Sequence, residues 1–314
     1  MAYTNTDTNM TTSSALSAGM QTYYNRELLR TFEPNLVHLQ FGDEHRMPPH
    51  SGLVMNMRKL IPLETNTKAL SEGDPGESVM LAETEVTVQL QQYGEYARCT
   101  DKLDLTHLDM DIMRRTKLFG DAGARSIDAV VREELAKGAN VIYAGGKASR
   151  AELTAADKLT SRELRKAVKT LKKNHAQTFG GYFVAIIGPD TMYDLQEDEA
   201  FVKVSQYQDK ENIYTGEVGR LFGVRLVETT EAKIFEGAGA SGADVASVIV
   251  LGQYAYGVTS LKRAKPRVIV KPAGSAGTAD PLDQISTVGW KMDGFGAKLL
   301  QPEYAVRIEC GFSA

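Results

Sequence analysis

The chain has 314 residues, 42% of them hydrophobic and 24% charged, with a formal net charge of -4. Apolar content in the globular range excludes a chain disordered throughout, and the slight acidity is not the electrostatic footprint of a dedicated nucleic-acid binder. No run of about 18 apolar residues marks a transmembrane helix, and Cys99 and Cys310, far apart and without a CxxC partner, exclude a disulfide scaffold or zinc ribbon.

Residues 1–20 are rich in Thr, Ser, Asn, Ala and Met. Such a segment buries too little apolar area to offset its ordering entropy, which predicts a flexible arm. No basic region followed by an apolar run opens the chain, so no secretory signal is expected. From Gln21 to Leu39 the spacing of Tyr24, Leu28, Leu29 and Phe32 is helical, with Pro34 as an interruption, and Phe41 to Pro49 is extended.

Residues 52–98 read as a long two-stranded excursion. Gly52 to Leu60 is one strand, and Glu85 to Tyr93, alternating Val86, Val88 and Leu90 with polar residues, is the other. The turn-rich stretch Ser71 to Ser78 lies between them, and a hairpin loop of that length points to a functional or disordered segment.

Residues 102–143 carry the longest helical pattern, through Leu105, Leu108, Ile112, Thr116, Phe119, Gly123, Ile127, Val130, Leu135 and Ile142. About forty residues at 1.5 Å per residue span roughly 60 Å, with Gly120 and Gly123 as a soft point. Gly145 and Gly146 are expected to end this helix.

An α/β rhythm follows over 152–290. Thr160 reads as the N-cap of a helix that turns Leu164, Ala167, Val168 and Leu171 inward and Arg165, Lys166, Lys169, Lys172 and Lys173 outward. Tyr182 to Ile187 is a buried strand, and Asp190 to Leu195 a short helix. Further strands are expected within 216–229, over Val245–Leu251 and Arg267–Lys271, and at the end of the chain over Tyr304–Cys310.

Motifs of chemistry are sparse. Gly237 to Gly242 fits GxGxxG, but β-branched residues follow where a nucleotide-binding helix would have to start, so a connector is the better reading. His107, Asp109 and Asp111 could suggest metal ligands, yet aspartates early in a long helix complement its dipole. Asp43, Glu44, His45 and His50 lie in an extended, proline-bounded stretch and read as solvated. Cys99 and Cys310 read as small buried hydrophobes. No catalytic residue, cofactor site or metal site is expected.

The order of parts, flexible arm, long hairpin, very long helix, α/β domain and returning C-terminal strand, resembles the major capsid protein of tailed bacteriophages, with the Hong-Kong-ninety-seven-type fold. Leu70-Ser71-Glu72-Gly73, Gln92-Tyr93-Gly94 leading to Asp101, Gly216 through Val224, and Asp280-Pro281-Leu282-Asp283-Gln284 with Gly289-Trp290-Lys291 also resemble the phage N-four-type major capsid family. The resemblance implies an α+β fold with an N-terminal arm (1–50), an E-loop hairpin (51–100) and a spine helix of the peripheral domain (101–150). An axial α/β domain (151–290) and a C-terminal strand returning to the peripheral domain (291–314) complete it. It further implies a non-enzymatic subunit that self-assembles through hexamers and pentamers into an icosahedral shell around double-stranded DNA, without sequence-specific DNA binding or membrane contact. The implied locations are the virion capsid and, during assembly, the host bacterial cytoplasm. Portal, scaffolding and cement proteins are the further partners implied. An encapsulin-like nanocompartment shell and an oligomeric α/β enzyme are the alternatives.

One interface follows from charge. From Glu64 to Glu85 the hairpin carries Glu64, Glu72, Asp74, Glu77, Glu83 and Glu85 against Lys68 alone, while Arg114, Arg115 and Lys117 cluster on the long helix. Because hairpins of this fold lie across a neighbour, Glu72, Asp74 and Glu77 are expected to meet the neighbour's Arg114, Arg115 and Lys117. The plainer alternative is two solvated charge groups, since an exposed pair contributes about 0–1 kcal/mol.

Overall fold

The computed structural model describes residues 26, 28, 36–48, 51–60, 67, 69, 80, 83–102, 112–198, 201, 220–261, 266–275 and 280–313. In chain order the strands are β1 (Asp43–Met47), β2 (Val54–Leu60), β3 (Glu83–Gln89), β4 (Gln91–Thr100), β5 (Val141–Tyr143), β6 (Phe183–Ile187) and β7 (Arg220–Leu221). They continue with β8 (Val224–Glu228), β9 (Ile234–Phe235), β10 (Val245–Leu251), β11 (Tyr256–Leu261), β12 (Arg267–Lys271), β13 (Ile285–Leu299) and β14 (Ala305–Cys310). The helices are α1 (Ile112–Leu135), α2 (Ser161–Lys173) and α3 (Pro189–Gln196).

The strands form a seven-stranded sheet ordered β5-β14-β10-β6-β8-β7 with β9 on β10, a five-stranded sheet of β1-β11-β13-β12 with β4 on β13, and the separate hairpin β2-β3. The central strands β6 and β10 are buried throughout, as continuous apolar runs covered on both faces should be. Period-two alternation then assigns their side chains to two cores. Phe183, Ala185, Ile187, Val248 and Val250 join Leu164, Ala167, Val168 and Leu171 of α2. Val184, Ile186, Ile249 and Leu251 face the other way. There they meet Ala124, Ile127, Val131 and Leu135 of α1, together with Tyr256, Trp290 and Phe295 of the five-stranded sheet. The helical residues recur at three- and four-residue steps, so one stripe of α1 enters a core shared by both sheets.

Asp128 sits on that buried stripe and holds the segment entering β1. Its Oδ1 accepts the backbone N–H groups of His38 at 2.7 Å and Leu39 at 3.2 Å, and its Oδ2 lies 2.6 Å from His38 Nδ1. The Tyr256 hydroxyl donates to the His38 carbonyl. Burial, with the charge of Asp128, holds the Tyr256 phenol well above its ordinary range. Leu28 is fully buried in the same core, in agreement with the helical reading of its segment.

Several expectations need correction. The long helix was expected over 102–143. Residues 103–111, which include His107, Asp109 and Asp111, lie outside the described residues, and the helix ends at Leu135. Lys137 and Gly138 turn back onto the carbonyls of Glu134 and Leu135. Ile142 then pairs in parallel with Ile308, a partner far along the chain that local periodicity cannot reveal. Gly120 and Gly123 are buried inside a continuous helix and do not interrupt it. Thr160 precedes α2 without capping a backbone group: its hydroxyl donates to Glu163, and Asp198 accepts the Ser161 N–H at 2.7 Å instead.

Sheet membership is as follows. The final strand lies between β5 and β10 in the seven-stranded sheet. β11 and β12, expected within the axial segment, pair with β13, which runs unbroken through position 290. Long-range ladders decided both points. The N-terminal arm, residues 1–20, lies outside the described residues.

Replacing Asp128 by Ala leaves the two backbone donors and the His38 ring without their acceptor. Breaking a buried pair of this kind lowers unfolding free energy by about 3–5 kcal/mol. Urea unfolding of the unassembled subunit measures it, and a loss below about 1 kcal/mol would show that the clamp contributes little.

Candidate assembly surface

The hairpin is two-faced. Its register sets Met55 opposite Val88 and Met57 opposite Val86, so these residues share one face. Met57 and Val88 are buried there, whereas Leu53 and Val54 at the base remain 57% and 52% exposed. Glycines on the five-stranded sheet admit the buried face. A Cβ at Gly257 would lie 2.7 Å from Met57 Sδ, and one at Gly296 would lie 2.8 Å from Val88 Cγ1. Lys59 Nζ adds an ion pair to Glu303 at 2.9 Å. The stem is therefore anchored on its own subunit, and it runs from Gly296 towards Leu300 and Glu303. The strand expected over 85–93 is divided at Leu90, whose N–H donates to the Leu53 carbonyl at 2.8 Å, and the chain beyond it pairs with β13 as β4.

Sequence reasoning missed β13, a 15-residue strand, because glycines at 289, 294 and 296 dilute its alternation. The glycines are required by close approach: a Cβ at Gly289 would stand 2.6 Å from the Glu95 carbonyl oxygen, and one at Gly94 would stand 2.8 Å from that of Trp290. Trp290 and Met292 face the shared core, so Ile285, Thr287, Gly289 and Lys291 face the opposite side. The register sets Arg98, Thr287 and Lys271 in one row across three strands, and Tyr96, Gly289 and Ile269 in the next. Low floor and higher walls make a trough of about 660 Å³. Tyr96 on its rim is 62% exposed.

The expected contact residues are not brought together within one subunit. Glu72, Asp74 and Glu77 lie outside the described residues. Arg114 and Arg115 are in the first turn described for α1, and Lys117 is exposed on it. Nothing in the fold pointed to Arg98 and Lys271 before the register was known. Asp43 and His45, read from the sequence as solvated, instead lie 3.1 Å apart and are only about a third exposed, and His50 lies outside the described residues. The GxGxxG stretch forms a tight turn before β10, and its Gly237 N–H donates to Asp244 Oδ1 at 2.6 Å. No group of three or more metal-ligating side chains occurs among the described residues.

Ion pairs close the seam between α1 and the seven-stranded sheet. Arg125 and Arg132 reach Glu231, and Lys233 reaches Glu133 at 2.8 Å. Fully buried Glu309 accepts from Arg150 at 2.6 Å and from Arg307 at 2.8 Å, while Arg150 stacks on the Phe235 ring at 3.6 Å. Burial opposes the charge of Glu133, of Glu134 and of Asp194. Lys233 and Arg132, Lys137 and Lys298, and Ser313 with Lys158 more than offset it, so each carboxyl lies below its usual range.

A depressed carboxyl contributes stability at neutral pH and loses it as pH falls through the lowered value. Unfolding stability should therefore drop below about pH 4. Asp194→Asn should be less stable at pH 7 and show a shallower acid loss in thermal melts taken from pH 7 to pH 3. Equal slopes for both proteins would contradict the assignment. Burial, with the nearby charges of Asp194, Glu163 and Glu309, pushes the Cys310 thiol up to about 12. In a Cys99→Ser subunit, Cys310 should thus react with a disulfide reagent at pH 8 only as fast as the subunit unfolds, and reaction at the rate of a free thiol would exclude this.

The profile of the family described as phage capsid protein matches residues 83–308, a span that takes in β3 to β13, most of β14 and α1 to α3. The chain belongs to that family. It is a phage major capsid protein with the Hong-Kong-ninety-seven-type α+β fold, a shell-forming subunit of the virion capsid. The capsid of Ralstonia phage GP4 superposes with a TM-score of 0.68 at 13% identity, covering 100% of this chain and 98% of that one. The capsid structure of cyanophage P-SCSP1u gives 0.66 at 16% identity, covering 88% of this chain and 89% of that one. A virus-like particle from Pyrococcus furiosus gives 0.52 at 12% identity, covering 92% and 99%. No curated protein sequence matches. The capsid subunit associates with itself, so surfaces such as the hairpin and the trough are to be judged against other copies of the chain.

Proposed function

We propose that this capsid subunit builds, through hexamers and pentamers, an icosahedral shell around the double-stranded DNA of a tailed phage, and that it catalyses no reaction. The match to the capsid family across residues 83–308 carries this reading. In it, residues 1–50 are the N-terminal arm, whose β1 adds an edge strand to the five-stranded sheet; the rest of that sheet with α1 is the peripheral domain, the seven-stranded sheet with α2 and α3 the axial domain, and β2-β3 the E-loop. Assembly takes place in the host cytoplasm, with portal, scaffolding or cement proteins as further partners. A net charge of -4 suits a wall that encloses DNA without gripping it. A nanocompartment is less well supported, since the family that matches is described as phage capsid protein.

Negative-stain microscopy of the purified protein should show closed, hollow particles of uniform diameter. A small monodisperse oligomer at every salt concentration, or particles that carry one co-purified enzyme, would overturn the reading.

The hairpin acids Glu72, Asp74 and Glu77 are proposed to contact cations of an adjacent copy, and Arg114, Arg115 and Lys117 are one receiving set. Complementary charge acts mainly on association rate and most strongly at low salt. Glu72→Lys with Asp74→Lys should slow assembly in light-scattering traces by about tenfold at low ionic strength. Adding Arg114→Glu with Arg115→Glu should restore part of the rate. A four-residue swap no faster than either pair alone excludes this receiving set.

A further inference from the structure

Helix α2 covers the face of the seven-stranded sheet away from α1, with Leu164, Ala167, Val168 and Leu171 turned into the core beneath it. Its 13 residues carry six cations and a single carboxylate, in a chain whose net charge is -4. At 3.6 residues per turn, exposed Arg162, Arg165, Lys169, Lys172 and Lys173 fall within an arc of about 100°, opposite the buried stripe. They extend for about 16 Å along the helix. The nearby acids are committed elsewhere. Glu163 is buried and pairs with Lys166 at 3.5 Å. Glu197 lies 3.5 Å from Lys158, and Asp198 accepts the Ser161 N–H at 2.7 Å. Glu303, whose carbonyl accepts from Asn174 just past the last turn, holds Lys59 at 2.9 Å. Arg165 lies 4.9 Å from the Phe222 ring, a contact that leaves its charge in place. Among the described residues, none of the five exposed cations has an acidic partner.

Little within the helix itself favours this pattern. Arg162 with Arg165, Arg165 with Lys169, and Lys169 with Lys172 and Lys173 repeat like charge at steps of three and four, which weakens a helix. Arg162 and Arg165 also stand near its N-terminal end, where the helix dipole disfavours cations. An anion lying along the stripe relieves both effects. Over about 16 Å, one strand of duplex DNA presents about five phosphates, a number that matches the exposed cations. No amide or aromatic side chain occurs in α2 to read or stack on bases, so the match is to the phosphate backbone and not to a sequence.

We propose that the exposed stripe of α2 is a phosphate-binding surface that lies along the packaged duplex DNA, so that this face of the seven-stranded sheet is the inner wall of the shell. This rests on the reading that the shell encloses double-stranded DNA, and it adds the side chains that touch it. Five contacts per copy, screened by salt and indifferent to sequence, hold DNA close to the wall through repetition over many copies. The net negative charge of the rest of the chain limits that hold to the stripe.

The test is fluorescence anisotropy of a short duplex of mixed sequence, titrated with the unassembled full-length subunit and with closed hollow particles. The subunit should bind with an affinity that falls steeply with salt, by about 0.9 in logarithmic slope for each phosphate contact. Lys169→Gln with Lys172→Gln and Lys173→Gln keeps good helix formers in place. It should weaken binding about tenfold at about 50 mM salt and make the slope shallower by about 2.7. Arg46→Gln with Arg58→Gln and Arg267→Gln, three exposed cations that already have acidic partners, should leave affinity and slope unchanged. Equal losses in the two variants, or no salt-dependent binding by the subunit, overturn the proposal. Closed particles should not take up duplex added from outside, and binding there as strong as to the subunit would put the stripe on the outer wall and refute it. A polyglutamate competitor that displaces the duplex at a lower charge concentration than DNA does would make the stripe a protein contact, which also refutes it. So would binding that appears only after Asp209→Asn with Glu211→Gln, since the stripe would then be covered by its own chain. Hollow particles of unchanged diameter from every variant keep a failure here separate from a failure of the shell reading, which falls only if the unsubstituted chain forms no closed particles.

Discussion

The core that gathers Val184, Ile186, Ile249 and Leu251 with the inner stripe of α1 and with the five-stranded sheet is what the rest of the subunit depends on. Those four side chains belong to strands buried on both faces, so the seven-stranded sheet has one core beneath α2 and another shared with α1 and the five-stranded sheet. A sheet covered on one side only would leave its second apolar face in water, at about 25 cal/mol for each Å². The long helix thus contributes one stripe to a core shared by both sheets, and what reaches outward is hung from that core: the hairpin stem, the trough and the segment entering β1.

Polar groups are used at the seams of this arrangement. Asp128 is fully buried on the apolar stripe, and it is tolerable there because three donors of the 38–39 segment converge on it. Glu309 of β14 is buried between Arg150 and Arg307, and its pair with Arg150 brings the 144–152 turns onto β14. Such pairs add little net stability over apolar replacements, but each demands one arrangement of the segments it joins. They therefore specify where β1, β5 and β14 sit more than they hold them.

The outward features have a common property: they are incomplete in one copy. The hairpin exposes Leu53 and Val54 at its base, and the trough exposes the Tyr96 rim beside Arg98 and Lys271. In a shell each copy has neighbours in fixed orientation, so weak contacts repeated at every interface sum to a stable wall although each contributes little. The trough's glycines matter here for shape: a side chain at Gly289 would collide with the backbone of β4 and close the strand spacing on which the floor depends.

Much of this was legible from local pattern. Uninterrupted apolar runs at 183–187 and 245–251, and the three- and four-residue spacing of Leu164, Ala167, Val168 and Leu171, determine buried strands and an amphipathic helix with no help from context. The order of parts was enough to suggest the capsid fold, because hairpin, long helix and α/β region follow one another along the chain. What only the tertiary structure decided were the long-range pairings. Ile142 fits a helical period as well as a strand, and Ile308, far along the chain, settles the choice. A glycine-rich segment such as 285–299 reads as a connector until two partner strands draw it into a sheet, and the final strand could join either sheet until β10 offered its edge. Arg98 and Lys271 meet only through that ladder. Periodicity reports which face of an element is apolar, since that depends on near neighbours; which element covers the face depends on residues far along the chain, whose contribution is cooperative and leaves no local trace.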